Sequence, residues 1–206
     1  TGPVACGKST LGKAFLCESP YDGSIRIGGK ELSSFSDVTR TGTIGYLGHD
    51  PELFQDTVEN NILMGDALDA NTYLKLVCLK EEADAMEQGI RTFIGTGGVR
   101  LSGGQAKRLA LARTFAHMRP VLILDDPFSA LDRTTEEQIF ANLKILTRNS
   151  IVLLISHRLY QFPEMDQVIW MNEGHTVVGT HEQLLQSVPE YAALYDSQKG
   201  DSHEEH

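Results

Sequence analysis

The sequence predicts an α/β fold in which a parallel sheet core carries a phosphate-handling loop and is interrupted by an inserted helical subdomain. Three observations lead there. The chain opens with Gly2-Pro3-Val4-Ala5-Cys6-Gly7-Lys8-Ser9, a full match to G-x-x-x-x-G-K-[ST]. Two continuous apolar runs, Val121 to Leu124 and Ile151 to Ile155, flank a segment with helical spacing at Ile139, Leu143 and Leu146. Strand, helix, strand is the order of a parallel sheet. From about Thr57 to Arg91 the apolar positions (Val58, Ile62, Leu63, Leu74, Val77, Ala83, Met86) instead keep a helical period.

In the opening loop, Gly2 and Gly7 permit the dihedrals that turn successive N–H groups inward around phosphate oxygens, with Pro3, Val4, Ala5 and Cys6 between them. Lys8 is placed to reach β- and γ-phosphates, and the Ser9 hydroxyl to ligate Mg²⁺. A helix begins there, running through Thr10, Leu11, Ala14, Phe15 and Leu16, its N-terminus toward the phosphates. Such a loop normally follows a buried strand, and only Thr1 precedes it, so the first strands are expected upstream of this chain. Ser24 to Ile27, the turn Gly28-Gly29 and Thr43 to Leu47 read as a small β layer. Glycines 95, 97 and 98 end the helical stretch, and a further helix is predicted from about Gly103 through Arg113. After the two apolar strands, both expected to be buried on both faces, Val168 to Met171 and Thr176 to Val178 flank Asn172-Glu173-Gly174-His175 as a hairpin. Helices are expected around His181 to Gln186 and Glu190 to Asp196.

With 206 residues and 41% hydrophobic content the chain can bury a sizeable core, and a net charge of −10 argues against nucleic acid as a partner. Cys6, Cys17 and Cys78 form no C-x-x-C pair, which fits a reduced compartment better than a disulfide framework. No apolar run of about 18 residues is present. His203 and His206, three apart in a polar tail, carry no metal expectation because termini fray.

Chemistry concentrates in three further places. Asp125 and Asp126 follow the first apolar strand, where the carboxyl end of a strand faces a phosphate site; Asp125 suits Mg²⁺ and Asp126 a base that orients water, although acidic residues before Pro127 also suit a turn. Leu101-Ser102-Gly103-Gly104-Gln105 contains an S-x-x-Q capping box, so a helix start is one reading. Gly103 and Gly104, poor helix formers, point instead to close approach of a ligand. His157 follows the second apolar strand, where an imidazole can donate to phosphate.

Together, Gly2 to Ser9, Leu101 to Gln105, Val121 to Asp126, Ser129-Ala130-Leu131-Asp132 and Ser156-His157-Arg158 resemble, in order, the motifs of the nucleotide-binding domain of ATP-binding-cassette transporters. The resemblance covers nearly the whole chain. It implies a P-loop NTPase (RecA-like) core over 1–49 and 115–206 and a helical subdomain over 50–114. It also implies ATP and Mg²⁺ as cofactors, and a second nucleotide-binding domain as partner. Gly2 to Thr10 would hold this chain's nucleotide, with metal on Ser9 and Asp125, and Ser102, Gly103, Gly104 and Gln105 would bind the partner's ATP in trans. Asp126, His157 and His49 would stand at the catalytic positions. Asp132 would lie in the loop that crosses the dimer interface, while its sequence position equally suits a helix cap.

Departures from the family pattern bear on rate. Asp126 replaces the usual glutamate and is one methylene shorter; a misplacement of about 1 Å can cost on the order of 10²-fold, so slow hydrolysis is expected. His49 replaces the usual glutamine, and Thr96 an often acidic residue. With an intact pentapeptide, this combination resembles the degenerate-site subunit of heterodimeric exporters, favoured here over a homodimer. Asp56 to Ile62, Gly179 to Leu185 and Tyr191 to Tyr195 resemble the exporter branch, which implies membrane helices upstream and a place on the cytoplasmic face of the membrane. Two other readings stand beside this one. The first is a regulatory subunit that never hydrolyses. The second is a soluble cassette ATPase of repair or translation, although Lys8 and Ser102 lie under 100 positions apart, with no long coiled coil between.

Overall fold

The opening motif turns straight into helix α1 (Lys8–Ala14) in the computed structural model, which describes residues 1–18 and 20–201. The hairpin β1 (Arg26–Ile27) and β2 (Lys30–Glu31) reverses at Gly28 and Gly29, both at positive φ. Next come α2 (Asp37–Thr43), β3 (Ile44–Leu47) and the short helices α3 (Val58–Leu63), α4 (Ala70–Leu76) and α5 (Lys80–Asp84), before the longer α6 (Gly103–Ala116). The expected strand, helix, strand unit is β4 (Val121–Asp125), α7 (Arg133–Leu146) and β5 (Ile151–Ile155). The hairpin β6 (Val168–Asn172) and β7 (His175–Gly179) turns through Glu173 and Gly174, both at positive φ as a two-residue hairpin turn requires. Helices α8 (His181–Ser187) and α9 (Pro189–Asp201) follow. His203 and His206 lie outside the described residues.

Strands β3, β4 and β5 form a parallel sheet in that order, with Leu47 opposite Leu124 and Asp125 opposite Ile155. The three therefore end at nearly one level. The stretch Thr43 to Leu47, read from sequence as part of a small β layer, belongs instead to this core sheet. Four residues are too few for periodicity to distinguish the two. Gly45 fits the close packing there, since a Cβ would fall 2.8 Å from the Leu122 side chain. All of β4 is buried, as expected of a strand covered on both faces, but β5 is not: Ile151 is 68% exposed and only Ile155 is buried. Among the described residues β5 is an edge, bordered by a groove of about 300 Å³ that runs between it and β6. Thr1 lies in that groove; its amino group donates to Ile169 O at 2.8 Å, and Met171 N donates to Thr1 O at 2.9 Å.

One face of the sheet and α7 share a continuous core with α3 to α6, built on Ile62, Leu74, Leu109, Leu124, Phe128 and Ile139. On the other face Leu32, Ile44, Ile123 and Ile155 pack under Phe15 and Leu16. Each fully buried side chain of this size stabilises by about 1.5–3 kcal/mol. Helix starts are marked by Thr57, Asp69, Ser102, Asp132 and Thr180, whose side-chain oxygens accept a first-turn N–H, a contribution of about 1 kcal/mol each. Asn61, fully buried, bonds Phe54 through both its amide atoms and receives Arg113 from α6, which fastens the connection after β3 to the helical side.

A third cluster sits under α8 and α9, where His181 Nδ1 is 2.6 Å from the Tyr191 hydroxyl and the Tyr195 ring packs edge-on against the imidazole. Burial, with help from Lys199 and against Glu182, lowers the His181 pKa. The folded chain thus keeps the ring neutral where the unfolded chain protonates it. Stability falls as pH drops below the ordinary histidine value of 6.5 and keeps falling until the folded ring protonates. Thermal unfolding at pH 5.5 and 7.5 should show this loss, and His181→Gln should reduce the difference.

Candidate functional site

The phosphate loop owes its shape to contacts as well as to glycine. Gly2 has φ 149°, and a Cβ there would fall 2.0 Å from the Met171 carbonyl oxygen, so β6 itself forbids a side chain. Gly7 has φ 98°, Ala5 adopts the same left-handed region at 64°, and Pro3, Val4 and Ala5 are exposed. The Lys8 side chain is buried and curls over the loop, donating to Gly2 O at 2.8 Å and Pro3 O at 2.6 Å, with Cys6 Sγ at 3.6 Å. Ser9 and Thr10 are exposed at the start of α1. That helix lies close on the sheet because Gly12 presents no side chain to Ile155 and Ile123.

Because the parallel strands end together, the residues just past them form a row. His49 follows β3, Asp125 ends β4 with Asp126 after it, and His157 follows β5. Asp125 is buried, and the Tyr46 hydroxyl is 3.4 Å from Asp125 Oδ2; burial, then this carboxylate, pushes the Tyr46 phenol up to about 12. Asp126 is buried too and takes a left-handed conformation, φ 51°, with its N–H donating to Ile155 O at 2.8 Å. Its carboxylate faces the half-exposed His49, whose Nδ1 lies 3.6 Å from Oδ2. His157 is exposed; partial desolvation of the ring, then Lys8, lowers its pKa, while Asp126 opposes the shift and His49 adds to it. These mutual influences place Lys8, His49, Asp126 and His157 in one electrostatic neighbourhood. No cluster of three or more His, Cys, Asp or Glu suited to a metal exists among the described residues. A buried carboxylate at a strand end fits Mg²⁺, which keeps water and phosphate ligands rather than a protein cage.

The pentapeptide stands apart from this row. Ser102 caps α6 by accepting from Gln105 N, and the Gln105 side chain accepts from Ser102 N, so the capping box read from sequence is formed. Gln105 also donates to Glu82, which pairs with Arg108. The two glycines differ. A Cβ on Gly103 would meet nothing within 4 Å, whereas one on Gly104 would fall 3.0 Å from the Ala130 carbonyl oxygen. The small size of Gly104 thus serves contact with its own chain, whatever else approaches this face. Asp132 caps α7, accepting from Thr135 N at 2.9 Å and its hydroxyl at 2.7 Å, and those bonds lower its pKa. Thr96 is exposed in the turn before the pentapeptide.

Sequence reasoning missed Tyr46 as a partner of Asp125, Lys107 as a partner of Asp126, and the buried Glu136, which binds Arg158 at 2.8 Å. Glu136 carried only the signal of an acidic first turn, and Lys107 that of a polar helix position. Nothing in spacing marks either as buried or bonded.

A glycine-turned anion loop on one side of a parallel sheet and carboxylates at the strand ends define a nucleoside-triphosphate-binding α/β domain. The ABC transporter family profile matches residues 1–129, and the chain belongs to that family. It is 36% identical over 199 residues to an ATP-dependent lipid A-core flippase of Burkholderia pseudomallei, covering 94% of this chain and 33% of that protein. It is 35% identical over 208 residues to the glutathione/L-cysteine transport system ATP-binding/permease protein CydC of Bacillus subtilis, covering 97% and 36%. P-glycoprotein 14 of Caenorhabditis elegans is 33% identical over 204 residues, 96% of this chain and 15% of that one. The solved structure of a bacterial Atm1-family ABC exporter with ATP bound superposes with a TM-score of 0.89 at 29% identity, covering 96% of this chain and 36% of that chain. The chain thus spans about a third of these bacterial relatives, and it corresponds to the ATP-binding domain of the exporter type.

Gly103→Ala should leave thermal stability unchanged or slightly raised, since the added methyl enters open space. Gly104→Ala should destabilise by about 1–3 kcal/mol, the usual cost of overpacking, read by denaturant titration.

Proposed function

We propose that this chain is the ATP-hydrolysing domain of a membrane exporter, pairs with a second nucleotide-binding domain around two ATPs, and carries the weaker of the two sites. Gly2 to Thr10 hold the phosphates of its own ATP, Ser9 and Asp125 bind Mg²⁺, and His157 meets the γ-phosphate. Ser102, Gly103, Gly104 and Gln105 bind the partner's ATP; the open space over Gly103 supports this face. The core spans 1–49 and 115–206, and the helical subdomain 50–114. We place this domain at the cytoplasmic face of the membrane, with a transmembrane domain on the same chain. That CydC is by name an ATP-binding/permease protein supports the last point. Among the described residues of this chain no helix is long and apolar enough to cross a membrane.

The observation that carries the weak-site reading is the meeting of both departures in one contact, His49 with Asp126 at 3.6 Å. A carboxylate one methylene short, buried and facing an imidazole, is poorly placed to orient a water on the γ-phosphate. A positioned base supplies roughly 10²–10⁴-fold, so losing its geometry slows the step and leaves binding intact. Asp126→Glu in the full-length transporter should raise ATP turnover by about 10-fold or more with KM for ATP little changed. No gain would overturn the assignment of the defect to the base. The preference for a heterodimer has its own test: this chain's transporter, purified alone with Mg-ATP, should turn over slowly and speed up when the partner is added. An ordinary rate unaffected by any partner would sink it.

A further inference from the structure

The turn that carries Asp126 and the helix that carries the pentapeptide are tied together inside the chain. Lys107, two residues past Gln105 on α6, donates to Asp126 O at 3.1 Å and to the Ser129 hydroxyl. One turn earlier on the same helix, Gly104 rests against Ala130 so closely that a Cβ would lie 3.0 Å from its carbonyl oxygen. From the opposite side Arg158, the neighbour of His157, donates to Leu131 O at 2.8 Å and Ser129 O at 3.3 Å. The same guanidinium pairs with Glu136, which is only 1% exposed. Residues 126–131 are thus held between the loop of His157 and the first turns of α6.

We propose that Lys107 is a positioning residue that couples the γ-phosphate end of this chain's own site to the signature face it offers the second subunit. The proposal rests on the reading above that Leu101 to Gln105 serves the partner's ATP. Any shift of the backbone at Asp126 or of the loop at His157 moves residues 126–131, and through Lys107 and Gly104 it moves the start of α6. The partner's ATP then meets signature groups whose position depends on this chain's own site. Hydrogen bonds from a charged donor are the strong ones, and here one ammonium joins two acceptors on one segment. Losing its charge leaves the segment joined to α6 by the Gly104 contact and by apolar packing of Phe128 and Leu131 in the shared core, which is less directional than a charged hydrogen bond.

The test uses the full-length transporter and three variants. Lys107→Met keeps the aliphatic stem and deletes the charge; Lys107→Arg restores a cation able to reach both acceptors. Gly103→Asp puts a carboxylate on the ligand face at a position where a Cβ meets nothing within 4 Å among the described residues. Steady-state kcat, KM for ATP and melting temperature are read for each. Lys107→Met should lower kcat by about 2- to 30-fold with KM unchanged and the protein still fully folded at the assay temperature, and Lys107→Arg should recover most of the loss. An unchanged kcat in Lys107→Met, or a loss that follows a lower melting temperature and is not rescued by arginine, overturns the coupling. Gly103→Asp separates the two levels. If it abolishes turnover while Lys107→Met does nothing, the signature reading stands and the coupling falls; if it leaves turnover intact, the reading in trans falls and takes the coupling with it.

Discussion

The nucleotide end of this domain depends on how the backbone leaves β4. That strand is buried along its whole length, so its exit is fixed from both faces, and the next residue, Asp126, adopts φ 51°. A non-glycine residue there carries backbone strain, tolerated where surrounding contacts over-determine the conformation. Here they do. The Asp126 N–H extends the β4–β5 ladder by one bond to Ile155 O, and its carbonyl receives Lys107. The left-handed step sends the chain toward Phe128, itself 1% exposed in the main core, and so seats residues 129–132 against the start of α6. Glycine would relieve the strain but could not carry a carboxylate.

Much of this architecture was legible in the chain. Continuous apolar runs marked β4 and β5, and the spacing of Ile139, Leu143 and Leu146 marked the helix between them, because burial of a parallel strand and of one helix face leaves plain periodic traces. The turn at Glu173 and Gly174 was legible for a similar reason, since few residues tolerate positive φ. What stayed hidden was relational. Ile44 to Leu47 looks the same whether it pairs with β4 or with the small hairpin. At the site, the motif spelled out Lys8, Ser9, Asp125 and Asp126, yet Tyr46 and Lys107 became partners of the carboxylate segment only through a register between strands and the seating of a helix. Glu136 is the sharpest case. Its position in the first turn of α7 suggests an exposed dipole partner, but it lies inside, and burial raises its pKa while Arg158 opposes that.

The glycines divide by cause. Gly2 has no room for a side chain because Met171 O occupies its place, whereas Gly7 has room and needs only its left-handed backbone. Within the pentapeptide, Gly104 is demanded by Ala130, and Gly103 by nothing among the described residues. A residue type with a helix penalty of about 1 kcal/mol, placed in a first turn and required by no intramolecular contact, points outward for its explanation. That is why Gly103, more than any capping residue beside it, speaks for a ligand or partner on this face.

The same division between backbone and side chain makes the proposed asymmetry self-consistent. The ties that seat residues 126–131 use the N–H and carbonyl of Asp126, the hydroxyl of Ser129 and the carbonyls of Ser129 and Leu131. None uses the Asp126 carboxylate, whose close contact is His49. Shortening that side chain by a methylene therefore alters the reach of a base without loosening the segment that positions α6. A chain built this way can lose catalytic reach at its own phosphate loop and still present an undisturbed signature to a second subunit, because the two tasks draw on different atoms of one residue.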